Sequence, residues 1–598
     1  MLSRRLLPRT ARIFPLLLWT ASLHLAAQAS GDKPAAPQSP ASDSTITMKV
    51  ATRLVSLEVV ARDHQGRPVP DLTAKDLQVY EEILPGKDQK RQSIAAFKAV
   101  NWTELRAASA AAPELPPGVY SNLVNKQKAQ MPPTVLLFDG INTDLQSQMQ
   151  VHRQMMKILG ALPTDMQVAV FLMGDRLKLL QSFTNDPKLL RDAASKALAL
   201  GKNAPDQDPI DDPDAQSAKL EDLPAGVMPA GALATLEGFE QRLYTFQLSV
   251  RIRKTLDALR GIARYLDGYP GRKNIIWISS AFPLQLSPVD ELSGNNFGDL
   301  HFFQSDMQEV SAALMDGRIA IYPVDAGGVR TESMFDPSTR LRNPGYGPSV
   351  AAGARREGMM RQQAQQVMRD VADDTGGRVC IGDNDFGDCV KKAMDDASTY
   401  YELAYYPNAG EWHGEYHRIV IKTARPGVHL SYREGYYGKP LAMTSSTPET
   451  AQGADPILQR TACEDPLPAT AILVMAKAIP ADKPGDVKYF LAIDAQRLTF
   501  AREAGARSLD VVLAACMFDK TGQPLQYMQR GGRARLSDQE FATASHGLTQ
   551  MMEFTPKAGI ARVRLLVRDS MSGRLGSVDV PYSETSVAAP AAETPPSK

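Results

Sequence analysis

The 598-residue chain has no surplus of either charge: Lys plus Arg and Asp plus Glu number 67 each. A neutral balance leaves no electrostatic footprint for nucleic acid or an anionic membrane, so any partner must be recognised locally. Beyond the N-terminus no apolar run reaches the roughly 20 residues that a membrane-spanning helix requires. The tail after Ser583, ETSVAAPAAETPPSK, reads as disordered rather than anchored. Motifs that mark common catalytic sites are missing as well: there is no GxSxG elbow, no HExxH and no GxxxxGK[ST] phosphate loop. Cysteine is limited to four residues without a CxxC spacing, which argues against a zinc site. No internal repeat of solenoid period is present.

What is there begins with a length too great for one core, enough for about three to four domains. Residues 1–29 carry Arg4, Arg5, Arg9 and Arg12, an apolar stretch from Ile13 to Leu25, and Ala27-Gln28-Ala29. That is the make-up of a secretory signal peptide cleaved after Ala29. The apolar stretch is short for an anchor, so the expected mature protein is secreted or periplasmic and has no membrane span. In an oxidising compartment an even number of cysteines invites disulfides. Cys380 with Cys389 would close a short loop and leave Cys463 with Cys516, with free thiols as the alternative.

Residues 30–46, rich in Ala, Pro, Ser and Asp, read as a linker. Within 47–105, the segment VSLEVVARDHQGRPVPDLTAKDLQVYEE alternates apolar and polar residues through Val55, Leu57, Val59 and Ala61. It breaks at Asp63 to Gly66 and resumes near Leu77 to Tyr80, as in a small β-sandwich. From 131 to 408 strands alternate with helical periods, the mark of βαβ architecture. PTVLLFD (133–139) is a continuous apolar run and predicts a strand covered on both faces. A helix is expected over Gln146–Leu162, then VAVFLMGD and LKLLQSF as an antiparallel pair turning at Gly174-Asp175, then a helix from Asn185-Asp186-Pro187 to about Leu200. Residues 201–238, with Asp206, Asp208, Asp211, Asp212 and Asp214, read as an inserted acidic loop. A long helix (Glu240–Leu266), a strand (Asn274–Ile278), a helix near Phe302–Met315, the strand RIAIYPVDAGG at 318–328 and a helix near Gln362–Thr375 follow. Residues 409–440 predict a closing hairpin, 455–584 a C-terminal β-sandwich, and 585–598 a disordered tail.

The segment PTVLLFDGINT resembles the first strand of von Willebrand factor type A (VWA) domains, whose metal-ion-dependent adhesion site begins Asp-x-Ser-x-Ser. The three motif positions here are Asp139, Ile141 and Thr143. PGRKNIIWISSAFP, RIAIYPVDAGG and STYYELAYYP, in that order, look like the VWA-related family typical of secreted Acidobacteria proteins, over about residues 45–440. The wording DxxGRPVxDLTxxDLxVYE resembles immunoglobulin-like modules of exported bacterial proteins. The fold class this implies is α/β, with a doubly wound, mostly parallel VWA-like (Rossmann-like) sheet flanked by N- and C-terminal β-sandwich modules. It also implies a Mg2+ or Mn2+ site at Asp139, Thr143 and Ser280, with the remaining motif threonine at Thr245 or Thr255. This sequence departs from the pattern twice: Ile141 replaces a serine, and Ser279-Ser280-Ala281 replaces Thr-Asp-Gly. The implied site is therefore degenerate, with Asp139 and Thr143 capping the turn and the next helix.

In open sheets of this class ligands sit beyond the carboxyl ends of the strands, and that edge should gather Asp139, Asn142, Thr143, Ser279, Ser280 and Asp325. Oxygen-rich residues of this kind suit an octahedral hard cation. His413, Glu415 and His417 would share one face of a strand, but Gly414 between them favours a solvated turn. Neither the acidic insertion nor Asp383, Asp385 and Asp388 follows the order of a calcium loop. The expected function is a secreted, non-catalytic interaction or adhesion-type protein that binds another protein or a cell-envelope component. Two alternatives stand beside it: an exported hydrolase using Ser279 or Ser280 with Asp325, and an inert structural envelope protein.

Overall fold

Four runs in which every residue is buried explain the central sheet of the computed structural model: β1 (Thr134–Asp139), β2 (Val168–Met173), β4 (Lys273–Ser279) and β5 (Ile319–Asp325). Strands that are buried at every position need cover on both faces, which parallel sheets receive from crossover helices. The partly exposed β3 (Leu177–Thr184) closes one edge antiparallel to β2, as the Gly174-Asp175 turn predicts. The order is β3-β2-β1-β4-β5, with β1 parallel to β2 and β4, and β4 parallel to β5. Beyond β5 the chain adds one more parallel bridge, Val324 to Cys380. Gly377 makes that approach possible, since a Cβ there would lie 1.8 Å from the Ile321 carbonyl oxygen.

The structure describes residues 54–84, 88–102, 115–123, 132–143, 155–156, 159, 166–201, 230–269, 271–280, 303–326, 347–381, 386–407, 412–438, 456–483, 485–503, 506–544 and 547–582. The expected signal peptide, linker and C-terminal tail lie outside them, as do residues 202–229 of the acidic insertion and Asp383 and Asp385.

Helices cover both faces of the central sheet. One face, with Val135, Leu137, Ile275 and Trp277, packs on α2 (Ala230–Leu266), α3 (Gln304–Asp316) and α4 (Gly347–Thr375) through Leu259, Ile262, Val310, Leu314, Met368 and Val371. The other, with Leu136, Val170 and Ile276, packs on α1 (Pro187–Gly201) and α5 (Phe386–Ser398) through Leu190, Ala194, Val390 and Ala393. Met155, Met156 and Leu159, the described part of the helix expected at 146–162, are helical and belong to this second face. The long helix starts at Ala230, so residues 230–238 of the expected loop are helical.

Parallel pairing stops at this sheet. The other four sheets of the described residues are antiparallel throughout, so the chain is a mixed α/β protein of several sheets. Some of the antiparallel pairs are joined by short turns, as Arg562–Asp569 and Leu575–Pro581 are, and others meet at long range, as Val55–Arg62 and Thr399–Tyr405 do, whereas parallel neighbours need long crossovers.

Two antiparallel sheets enclose a core of Leu57, Val59, Val79, Tyr401, Leu403 and Ile419. One contains Val55–Arg62, Ile94–Asn101, Thr399–Tyr405 and His429–Ser431; the other contains Leu77–Leu84, Lys90–Gln92, Tyr416–Thr423 and Gly435–Tyr437. The 47–105 segment, the end of 131–408 and the 409–440 hairpin thus supply strands to the same pair of sheets. Asn101, where the chain leaves, lies opposite Thr399, where it returns.

A second antiparallel pair forms the C-terminal part. Val474–Ile479, Val487–Ile493 and Leu548–Phe554 face Ala506–Phe518, Arg562–Asp569 and Leu575–Pro581 across Tyr489, Leu491, Leu513 and Leu565. The short strand Val119–Ser121 joins its edge, and Asn122 holds it there, donating to the Ala469 and Ile472 carbonyls (2.7 and 2.9 Å) and accepting from Val474 N (2.8 Å). Disulfides link Cys380 to Cys389 and Cys463 to Cys516, pairings that fit an extracellular or periplasmic protein. Among the described residues no helix is long and apolar enough to cross a membrane.

A buried polar node joins the first sandwich to the α/β unit. Asp396, 1 % exposed, takes hydrogen bonds from Arg62 Nε (2.6 Å), Arg378 Nε (2.9 Å) and Tyr322 Oη (3.1 Å). Removing one member of such a set leaves uncompensated charge inside. Asp396→Ala should therefore cost about 3–5 kcal/mol of unfolding free energy, read from urea midpoints. A loss under about 1 kcal/mol would mean that water already screens the node.

Candidate functional site at the carboxyl edge

The parallel register of β1 and β4 sets Leu137 beside Trp277 and Phe138 beside Ile278. Side chains alternate across strands, so Val135, Leu137 and Asp139 share a sheet face with Ile275, Trp277 and Ser279. Asp139 is thus the polar end of an apolar stripe and is 3 % exposed. A carboxylate so placed must be paired with donors or charge.

Five donors meet it. Oδ1 accepts from the backbone N–H of Ile141 (3.1 Å) and of Asn142 (2.8 Å), and Oδ2 from Asn142 Nδ2 (2.9 Å), Trp277 Nε1 (3.1 Å) and Ser279 Oγ (2.8 Å). A carboxylate offers about four lone-pair sites, so these bonds fill it. Burial pushes the Asp139 carboxyl above its ordinary value, opposed by the bonds from Asn142, Ser279 and Trp277. All five contacts bring a proton rather than a lone pair. That set does not suit a divalent cation, which would need the same oxygens.

Asn142 extends the cluster. Its Nδ2 lies 3.2 Å from Thr255 Oγ1, which donates its own proton to the Arg251 carbonyl (2.8 Å). Thr255 therefore accepts, and the amide nitrogen faces two acceptors. Ser280 Oγ donates to the Asn142 carbonyl at 3.0 Å. Of the two threonines left open by the sequence, Thr255 is the one at the site; Thr245 lies roughly 15 Å further along the helix axis.

Asp139, Asn142, Ser279 and Ser280 are therefore brought together as the sequence suggests. Thr143 is buried on the same turn, and Asp325 is held by α4 through Gln365 Nε2 (3.1 Å). Trp277 was legible only as core. Its signal is that a buried indole N–H needs an acceptor, and Asp139 ends the adjacent strand. As a nucleophile Ser279 is poorly placed, being fully buried, while the Ser280 hydroxyl gives its proton to a backbone carbonyl rather than to a base.

The His413, Glu415 and His417 set divides. His413 is exposed, but His417 is wholly buried because its strand, Tyr416–Thr423, turns that position into the sandwich. Its Nδ1 meets Glu81 Oε1 at 2.8 Å and its Nε2 meets Glu415 Oε1 at 3.0 Å; the Tyr436 hydroxyl donates to Glu81. Burial pulls the imidazole down, but the bonds to Glu81 and Glu415 outweigh it and raise His417 above its ordinary value. No group of three or more metal-type ligands exists among the described residues. A cavity of about 380 Å³ between α2, α3 and the C-terminal part is lined by ion pairs, including Arg264 with Glu309 (3.2 Å) and Arg260 with Glu309 (3.3 Å).

Fold and site together define a mixed α/β protein with a filled polar cluster at the carboxyl edge of the one sheet with parallel pairing among the described residues. No family model and no curated protein matches the chain. Among solved structures it is similar to a von Willebrand factor type A protein from Catenulispora acidiphila (10 % identity, TM-score 0.21, 61 % of this chain and 74 % of that one). It is also similar to an aerotolerance-related membrane protein from Bacteroides fragilis (12 %, 0.21, 44 % and 98 %) and to the PilB minor pilin from Streptococcus sanguinis (13 %, 0.22, 45 % and 62 %). Likenesses this low assign no role to any residue.

Trp277→Phe removes one donor from Asp139 and keeps a ring in the slot, so it should lower stability by about 2–3 kcal/mol, measured by urea denaturation; an unchanged midpoint would deny the bond any weight. For His417, a raised folded value means stabilisation that is fully present below the unfolded pKa and lost as pH rises through the folded one. The stability advantage of wild type over His417→Phe should accordingly shrink above about pH 6.5, and a difference independent of pH from there upward would contradict an imidazolium held by two carboxylates.

Proposed function

We propose that this chain is an exported, non-catalytic interaction protein whose central α/β unit is a doubly wound, VWA-like domain bearing a degenerate adhesion site. Support for the domain comes from the β3-β2-β1-β4-β5 order with its antiparallel edge, from helices on both sheet faces, and from Asp139 at the end of β1. Its phrases NIIWISS and IAIYPVD are similar to those of secreted Acidobacteria proteins of the VWA-related family. Export rests on the character of residues 1–29 and on two disulfides.

The observation that carries the reading is the convergence of Asp139, Asn142, Thr255, Ser279 and Ser280 at the carboxyl edge, where sheets of this type engage ligands. Half-buried Ile141 and Ser280 form the rim of that cluster and would touch a protein or envelope component. A hydrolase is less well supported, because Ser279, whose hydroxyl donates to Asp139, is fully buried, and the Ser280 hydroxyl donates to a backbone carbonyl.

Ile141→Arg places a charge on the rim and keeps the backbone N–H that donates to Asp139. With the full chain immobilised and envelope extract of the producing bacterium passed over it, wild type should retain a component that Ile141→Arg loses at unchanged near-ultraviolet circular dichroism. Equal retention by both would move the binding surface away from this edge. Retention by neither would favour an inert structural protein.

A further inference from the structure

We propose that the Asn142 carboxamide stands in the place of a divalent cation at this edge, drawing Asp139 and Thr255 together so that the site keeps its shape without metal. The argument is positional. Asn142 Nδ2 sits 2.9 Å from Asp139 Oδ2 and 3.2 Å from Thr255 Oγ1, bridging the turn after β1 to α2. The hydrogen of an N–H donor lies about 1.9–2.0 Å from its acceptor, and a hard cation such as Mg2+ lies about 2.0–2.1 Å from a carboxylate oxygen. The amide proton therefore takes the space a cation would take on Oδ2. The remaining positions around the carboxylate are filled by the Ile141, Asn142, Trp277 and Ser279 donors.

Sequence and structure agree on this point. Ile141, where a ligand oxygen would be needed, packs against the apolar cluster under the sheet face. An aspartate at 142 would be nearly isosteric but would bring lone pairs and charge, not protons, toward Asp139 and Thr255. Two facing carboxylates repel each other and together hold a cation well. The inference concerns the site alone and holds whether or not the edge binds a protein.

The experiment uses the full chain, as wild type, Asn142→Asp and Asp139→Asn, with thermal melting and calorimetry in EDTA and in MnCl2. Wild type should give no binding heat and the same melting midpoint in both solutions. Asn142→Asp should melt lower than wild type in EDTA, bind Mn2+ and recover its midpoint as Mn2+ is added. If that variant stays unfolded in both solutions, Asn142→Ser is read by the same criteria. Three results overturn the proposal: Mn2+ binding by wild type that Asp139→Asn abolishes, a substituted protein that melts like wild type in EDTA, or a destabilised one that takes up no Mn2+.

Discussion

Antiparallel pairing between strands hundreds of residues apart governs the first sandwich, and through it the placement of everything inserted between them. Val55–Arg62 pairs with Thr399–Tyr405, and Leu77–Leu84 with Tyr416–Thr423, so neither sheet is complete until the intervening chain has been gathered in. Non-local pairing of this kind is slow, because the loop must close before its contacts stabilise it. The insert eases closure by ending where it began, with Asn101 opposite Thr399. Asp396, at the end of α5, then meets Arg62 from the first strand. That strand pairs the Asp396 Oδ1, while Arg378 and Tyr322 hold Oδ2.

Charged groups lie near the seam between the two parts. Lys273 lies buried with Nζ on the Gly317 carbonyl (2.6 Å), its ammonium pushed down to about 8 mainly by burial. Glu58, also buried, is raised by the same cause and is opposed by Arg318, whose Nε stands 3.5 Å away. Buried ions contribute less net stability than apolar contacts of equal volume. The Glu58–Arg318 pair acts on orientation, since it forms only where sandwich and sheet are docked in this way.

Local pattern was enough for strands such as Thr134–Asp139, where six buried residues in a row leave no alternative to a covered strand. It was also enough for Val55–Arg62, whose alternation separates an inner from an outer face. Partner choice was not legible, because alternation in 55–62 is the same whether it pairs with 94–101 or with 399–405. The site followed the same division. Asp139 could be placed at a strand end, yet Thr245 and Thr255 were equivalent until the helix was set against the sheet, and Trp277 looked like any core aromatic. Gly414 misled in the opposite direction: it marks a turn correctly, but the strand begins two residues later and carries His417 inward.

The filled carboxylate at Asp139 ties three elements into one: the turn after β1, the end of β4 and the middle of α2. None of the three can shift without breaking a buried hydrogen bond, charge-assisted where Asp139 accepts and neutral between Asn142 and Thr255, and an unmade buried bond is costly. A sheet edge fixed in this way is preorganised. Binding at a preorganised surface loses little conformational entropy, so contact area and fit count for more of the affinity. A site that must first acquire an ion can be switched by its supply; an edge built from amide, indole and hydroxyl donors has no such dependence. On the reading proposed above, recognition at this edge would rest on shape and on its half-buried rim.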